Sequence, residues 1–553
     1  MLVPFALSCF AVVGCTGPAP EQPAAPAPAG VAARGATGAG DPHPDASALS
    51  ADAGAVAPEA PFTSKGRFAL LIRGGTVIDG SGRPGAIADV LVQGDRIAHV
   101  GIVDSSVQAA KVIDATGKVV TPGFIDTHAH GDAVGDNRNF LAMGVTTLCL
   151  GQDGRSPSDE RIATWAKGVE AKKPVLNLVP FVGHASVRVL AGVGAKTDPS
   201  PAQIAAMAAL VAQGMEDGAF GLTTGLEYQP GRSGKLAELV EIAKPVAKSH
   251  GVVMSHMRSE DDDAIDGALD ELLAQGTGSG ARVHVSHLKV VYGHGKERAE
   301  KLLARLQAAR DKGLAVTADM YPYNASYTGI DIVFPDWAKP PSSFDAAVRS
   351  RHEELRAWLR KRIALRNGPE ATLFGTGRFA GKTLAAAAAE TRKPFEDLLI
   401  DDIGPSGASA AYFVMDDALQ NRLIVDPHVM IGSDGSGGGG HPRGHGAFAR
   451  VLRVLVNDDK LLGLEEAVHK MSGLAAETLD LDRQRRGLVR VGFAADLLVF
   501  DPAKVRDTAT FQRPTELAEG FESVVVNGQL VRDHGAFTRA RPGQVLRHAA
   551  PGP

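Results

Sequence analysis

The sequence predicts an α/β fold, a barrel of parallel strands wrapped by helices, on three observations. From about residue 121 to 480, short apolar runs alternate with helical stretches, the rhythm of repeated βα units. The runs are short and largely apolar, as in parallel strands buried on both faces. Several are followed at once by a His or Asp, and in a parallel barrel the carboxyl ends of all strands share one rim.

The chain has 553 residues and 44% apolar content, enough for one large core and a smaller one. Lys and Arg total 58 against 63 Asp and Glu, and the net charge of -5 gives no reason to expect nucleic-acid or general membrane-surface binding. Residues 1–15 form a short apolar run ending in Val12, Val13, Gly14 and Cys15. This end resembles a bacterial lipoprotein box, which implies a signal peptide, acylation at Cys15 and an exported, periplasmic or surface-facing protein. The usual positive start is missing, and an ordinary secretory leader is the alternative. Residues 16–63 are rich in Ala, Pro and Gly with little apolar periodicity, as in a disordered tether. Beyond the leader Cys149 stands alone, which excludes an internal disulfide.

Residues 64–120 alternate short apolar strands with Gly and Asp turns, and residues 481–550 read the same way. Between them, helical stretches are expected at Pro201 to Glu216, Gly234 to Ser249, Asp261 to Gln275 and Lys296 to Lys312. Roughly a hundred residues separate Tyr323 from the strand before Asp434, too many for one βα unit. Part of this, about 324–412, reads as a largely helical insertion over the mouth of the barrel, a cap that shapes access or a plain elaboration.

His128 and His130 close the run that starts at Val119; one residue apart at a strand end, their imidazoles lie on the same side of the backbone. His256, His287 and Asp434 follow further apolar runs, and Asp153 closes another. Neutral imidazoles with carboxylates are the ligand set of Zn(II), with bridging when there are two ions. A bound ion generates a hydroxide near neutral pH.

Nine stretches carry a resemblance. They include Thr-Pro-Gly-Phe-Ile-Asp-Thr-His-Ala-His from Thr121, Val-Gly-His-Ala-Ser from Val182, Gly-Leu-Glu-Tyr from Gly225, Ser-His-Met-Arg from Ser255, Val-Ser-His-Leu-Lys from Val285, Ala-Asp-Met-Tyr-Pro-Tyr from Ala318, Ile-Gly-Ser-Asp-Gly from Ile431 and His-Pro-Arg at His441. In this order they resemble the amidohydrolase superfamily, and within it the D-aminoacylase (N-acyl-D-amino-acid deacylase) family.

The resemblance implies a TIM-like (β/α)8 metallo-dependent hydrolase barrel, with both chain ends combined in one small β-sandwich. It implies one metal position at His128, His130 and Asp434 and another at His256 and His287, holding one or two Zn(II) ions, with Mn or Co as alternatives. Asp434 would act as general base and then general acid. Lys289, Tyr321 and Arg443 would hold the substrate carboxylate, and Tyr228 would approach the substrate or pack in the core. Asp153 departs from the family, where a cysteine ligates metal; carboxylate oxygen is harder and commonly bridges two ions. Tyr327 stands where a serine would complete the carboxylate clamp, with Ser326 or Thr328 as substitutes. His184 reads as a supporting or core residue and His284 as structural.

The implied function is metal-dependent hydrolysis of the amide of N-acyl-D-amino acids, small molecules. A dipeptidase or cyclic-amide hydrolase is the nearest alternative, and a non-catalytic ligand-binding lipoprotein the alternative from another class.

Overall fold

The computed structural model describes residues 61–548. The leader, Cys15 and the tether up to residue 60 lie outside the described residues, as do the last five positions.

Eight parallel strands form the barrel. Three of them, Phe124–Asp126, Val145–Leu150 and Asn177–Pro180, pair in sequence order. The third runs on through Phe181 into Val182–Gly183, which pairs with Gly221–Gly225. Val252–His256, Arg282–Val285, Val316–Met320 and Val429–Ile431 follow. A parallel bridge between Ala129 and Gly435 joins the last strand to the first. Val145–Leu150, Gly221–Gly225 and Val252–His256 are buried at every position, as in parallel strands covered on both faces, with their Thr and Ser side chains buried too. Ile125, Cys149, Val179, Phe181, Met254 and Met430 fill the barrel interior as one cluster. The rim above this plug is left to polar side chains.

Helices sit where their sequences direct them. Pro201–Glu216 opens with Pro at its first turn and a capping box between Ser200 and Gln203. Leu236–Lys248 buries Leu239, Ile242, Ala243 and Val246, a stripe at helical spacing. Ile265–Ser279 ends at Gly280, whose φ of 77° a side chain rarely adopts. Lys296–Asp311 buries Ala299, Leu302, Leu303, Leu306 and Ala309.

Both chain ends enter one nine-stranded sheet, joined where Val119–Pro122 pairs antiparallel with Leu497–Phe500. The strands are hydrogen-bonded into a single sheet rather than two separate ones. Arg67–Val77 explains this, since it pairs with Ala86–Gln93 on one edge and with both Gln108–Asp114 and Val119–Pro122 on the other, with a bulge between Ile72 and Gly75.

The segment between Met320 and Val429 carries the long helix Phe344–Leu365 and shorter helices, but also a three-stranded antiparallel sheet of Ser326–Gly329, Ser409–Tyr412 and Thr372–Phe374. The expectation of a largely helical insertion omits that sheet. Its strands are three or four residues long, too short to show a period in the sequence.

Candidate metal centre

The polar residues that follow the barrel strands converge. Ligand atoms of His128, His130, Asp153 and Asp434 lie within 4.8 Å of one another, as do those of Asp153, His256 and His287. Asp153 belongs to both groups. Its Oδ1 faces His128 Nε2 at 3.4 Å and both His256 Nδ1 and His287 Nε2 at 3.6 Å, while its Oδ2 faces His130 Nε2 at 3.4 Å. Asp434 Oδ1 lies 3.2 Å from His130 Nε2 and 3.7 Å from His128 Nε2. Three of these residues hold left-handed backbone, with φ of 55° at Asp153, 37° at His287 and 50° at Asp434, an uncommon state that marks an over-determined site.

The donor set fits a cation. His128 is fully buried, and neither of its ring nitrogens has a hydrogen-bond partner among the described residues; Asp153 Oδ1 is buried and unpartnered too. Buried polar atoms are rarely left so. Imidazole and carboxylate atoms spaced 3.2–3.7 Å apart around a common point suit Zn(II).

Surrounding carboxylates orient the imidazoles. Glu227 Oε2 lies 3.1 Å from His256 Nε2, and Glu260 Oε1 lies 2.9 Å from His287 Nδ1, so each carboxylate fixes the nitrogen that faces away from the cluster. Asp319 accepts from His287 N at 2.5 Å, Thr127 Oγ1 at 2.8 Å and His284 Nε2 at 2.9 Å. Asp126 accepts from Ser433 N at 2.9 Å and His128 N at 3.2 Å, tying the last barrel strand to the first. Burial pushes the Asp126 carboxyl up to about 7, against the opposing bonds from Ser433 and His128. Burial also disfavours ionised Asp319, yet His284, His128 and the His287 backbone N–H together bring that carboxyl down to about 2. None of Glu227, Glu260, Asp126 and Asp319 was singled out from sequence. For Asp126 the signal was a carboxylate inside an apolar strand two residues before His128.

Lys289 and Arg443, expected on a substrate carboxylate, are each bonded to a protein carboxylate. Lys289 Nζ donates to Glu260 Oε1 at 2.6 Å, and Arg443 Nη1 forms an ion pair with Asp434 Oδ2 at 2.7 Å. Burial works against ionised Asp434, but Arg443 and His287 prevail and hold its carboxyl well below the usual carboxylate range. Tyr321 lies under both cations, its ring 4.9 Å from the Arg443 guanidinium and 5.8 Å from Lys289 Nζ, with its hydroxyl buried and unpartnered. Tyr228 packs its ring 4.7 Å from His256 and shares a hydrogen bond of 3.2 Å with Thr328. Tyr327 turns to the glycine loop, where its hydroxyl accepts from Gly440 N at 3.1 Å. Gly440 has no room for a side chain, because a Cβ would sit 2.0 Å from Gly375 Cα. Ser326 faces the cavity with its hydroxyl buried and unpartnered.

His184 lies apart from the cluster, buried against Glu238 at 2.7 Å, a carboxylate that also receives Arg188. His284 bonds Thr317 and Asp319 and reaches the centre only through Asp319. A cavity of about 1110 Å³ opens over the cluster, walled by Tyr228, His256, His287, Lys289, Asp434 and Arg443 together with the segment after Tyr323.

The likeness to known proteins is extensive. The chain is 34% identical over 507 residues to the N-acyl-D-glutamate deacylase of Alcaligenes xylosoxydans xylosoxydans, which covers 87% of this chain and 97% of the relative. It is also 34% identical to the N-acyl-D-aspartate deacylase of the same organism, over 87% of this chain and 95% of the relative. Among solved structures, the N-acyl-D-glutamate deacylase of Bordetella bronchiseptica, complexed with zinc and a phosphonate inhibitor, superposes with a TM-score of 0.75 at 31% identity, covering 87% of this chain and all of that one. The model of the amidohydrolase family matches residues 111–330 and 376–532. The chain belongs to the amidohydrolase family.

Proposed function

We propose that the protein hydrolyses the amide bond of N-acyl-D-amino acids at the cluster of His128, His130, Asp153, His256, His287 and Asp434. The observation that carries this reading is the sharing of Asp153 by two ligand groups beneath one cavity. The likeness to deacylases of N-acyl-D-glutamate and N-acyl-D-aspartate over 87% of the chain adds the substrate class and the D configuration.

Zn(II) held by these six residues supplies a Lewis acid and makes water acidic enough to ionise near neutral pH. Asp434 accepts the proton of the attacking water and returns it to the departing amine nitrogen, general base and then general acid. Arg443 keeps Asp434 ionised until substrate arrives. The substrate carboxylate then draws on Arg443, Lys289 and the Ser326 hydroxyl, which loosens the Arg443 pair and makes Asp434 a stronger base. The Tyr321 ring supports the two cations from below.

Purified protein tests the reading through metal analysis and a panel of N-acetyl amino acids of both hands. Bound zinc, with faster turnover of the D series, is expected. A metal-free protein that stays inert after zinc is added would overturn it.

The ending Val-Val-Gly-Cys at Cys15 further supports export and a lipid anchor, with residues 16–60 as the tether. Membrane association that is lost in Cys15→Ala is the expected result; equal partitioning of both forms would refute it.

A further inference from the structure

The family model leaves out residues 331–375, yet this segment walls the cavity through Asp331, Asp336, Lys339 and Arg366. Arg366 follows the helix Phe344–Leu365 and is only 1% exposed. Its Nε is buried without a hydrogen-bond partner, and no side-chain hydrogen bond to its guanidinium exists among the described residues. The nearest carboxylate oxygen, Asp261 Oδ1, is 3.8 Å from Nη1, while the other oxygen of Asp261 is bonded to Arg362 at 2.7 Å. Two guanidinium groups thus share one carboxylate, an excess of one positive charge over these three groups. The guanidinium is stacked 4.6 Å over the Tyr412 ring, which fixes its plane.

The other charges of this wall lie on their own partners: Arg232 pairs with Asp336 at 2.6 Å, and Lys339 Nζ, which donates to the Asp331 backbone carbonyl at 3.1 Å, is the cation that faces the Asp331 carboxylate. Arg258 holds Glu271 at 2.8 Å. Glu227 and Glu260 are taken up by His256 and Lys289. A desolvated guanidinium without hydrogen bonds costs stability unless an anion completes it, and its fork matches a carboxylate with two parallel bonds.

We propose that Arg366 determines specificity by reading a second carboxylate on the substrate, distal to the α-carboxylate, so that dianionic N-acyl amino acids are preferred. This rests on the hydrolase reading above. The second carboxylate comes either from an acidic amino-acid side chain or from a dicarboxylic acyl group, and both present the same chemistry.

The test compares kcat/KM on N-acetyl-D-glutamate with its neutral isostere N-acetyl-D-glutamine, and on N-succinyl-D-leucine with N-butyryl-D-leucine. The whole zinc-loaded protein is used, with Arg366→Met and Arg366→Lys beside it and melting temperatures recorded for each. For the source that is used, the wild type should favour the charged member by at least about tenfold, mainly through KM. Arg366→Met should collapse that ratio toward one and Arg366→Lys should retain part of it. A wild-type ratio near one in both pairs, or a ratio unchanged in Arg366→Met, overturns the proposal. Inactivity on all four substrates would instead strike the hydrolase reading. Calorimetric binding of glutarate against glutaramate then decides the role of Arg366 by itself: tighter glutarate binding that is lost in Arg366→Met supports it, and equal affinities overturn it.

Discussion

Arg443 Nη1 forms an ion pair with Asp434 Oδ2 at 2.7 Å, so the guanidinium nearest the proposed base is paired with that base in the cavity wall. Both side chains are nearly buried, and a charge pair in such surroundings controls the ionisation of each member.

The first prediction concerns the acid limb of the pH–rate profile. Burial opposes ionisation of Asp434 and Arg443 is the largest force against it, so the carboxyl stays ionised well below the usual carboxylate range. Replacing Arg443 by Met removes that force, and the carboxyl titrates at higher pH. The acid limb of kcat/KM should therefore move upward in pH, with a loss of about a hundredfold or more at neutral pH. An unmoved acid limb would show that the pair does not set the basicity of Asp434.

Glu260→Gln is the second. Glu260 accepts from Lys289 at 2.6 Å and faces His287 Nδ1 at 2.9 Å, so the change releases the imidazole from its orienting carboxylate. Zinc affinity, measured by competition with a chromogenic chelator, should fall by about ten- to a hundredfold. The fold should melt normally once metal is supplied in excess. Unchanged affinity would mean that the backbone bond to Asp319 and the Lys289 ammonium at its Nδ1 hold His287 in place without the carboxylate.

What the sequence makes legible follows from geometry that is local. His128, His130, His256 and Asp434 lie at or just beyond the ends of apolar strands, and in a closed parallel barrel that position alone brings them to one rim. Pro201–Glu216 matches its expected span residue for residue because Ser200, Pro201 and Gln203 mark its start chemically. Glu227 and Glu260 carry no such mark: each lies in a loop after a strand, and only the tertiary approach of His256 and His287 gives it a partner. Arg366 is hidden for the same reason, since a helix-terminal arginine reads as solvated until Tyr412 and the cavity are placed around it. The pairing of Arg443 with Asp434 is equally illegible, because eight residues of glycine-rich loop separate them and only the folded loop sets their distance.

The third prediction lies outside the centre, at Lys470. The residue is 1% exposed, and its ammonium donates to the backbone carbonyls of Asp426 and Val429 at the entry to the last barrel strand. Burial drives the ammonium down to about 8, with Glu466 and Asp426 opposing. Between that value and the ordinary one near 10.5, the unfolded chain binds more protons than the folded one. The free energy of unfolding should therefore rise as pH climbs from about 8 to 10.5, by on the order of 3 kcal/mol from this group, with the full penalty present below 8. Urea titrations of Lys470→Met should lack this rise; a parallel pH dependence in both proteins would place the effect elsewhere.

The last prediction separates the carboxylate at position 153 from the thiolate its relatives are expected to carry. Asp153 presents Oδ1 to His128, His256 and His287 and Oδ2 to His130, so its two oxygens span both ligand groups, whereas a single sulfur offers one atom. Two oxygen donors are harder and lie farther apart, a combination that favours two bound ions and weakens discrimination among Zn, Mn and Co. Elemental analysis after dialysis should give close to two ions per chain for the wild type and about one for Asp153→Ala, since His256 and His287 alone are too few to retain a second. Asp153→Cys loaded with Co(II) should develop an intense near-ultraviolet sulfur-to-metal band that the wild type lacks, and should bind Zn more tightly relative to Mn. A single ion in the wild type, with stoichiometry unchanged in Asp153→Ala, would remove Asp153 from the ligand set.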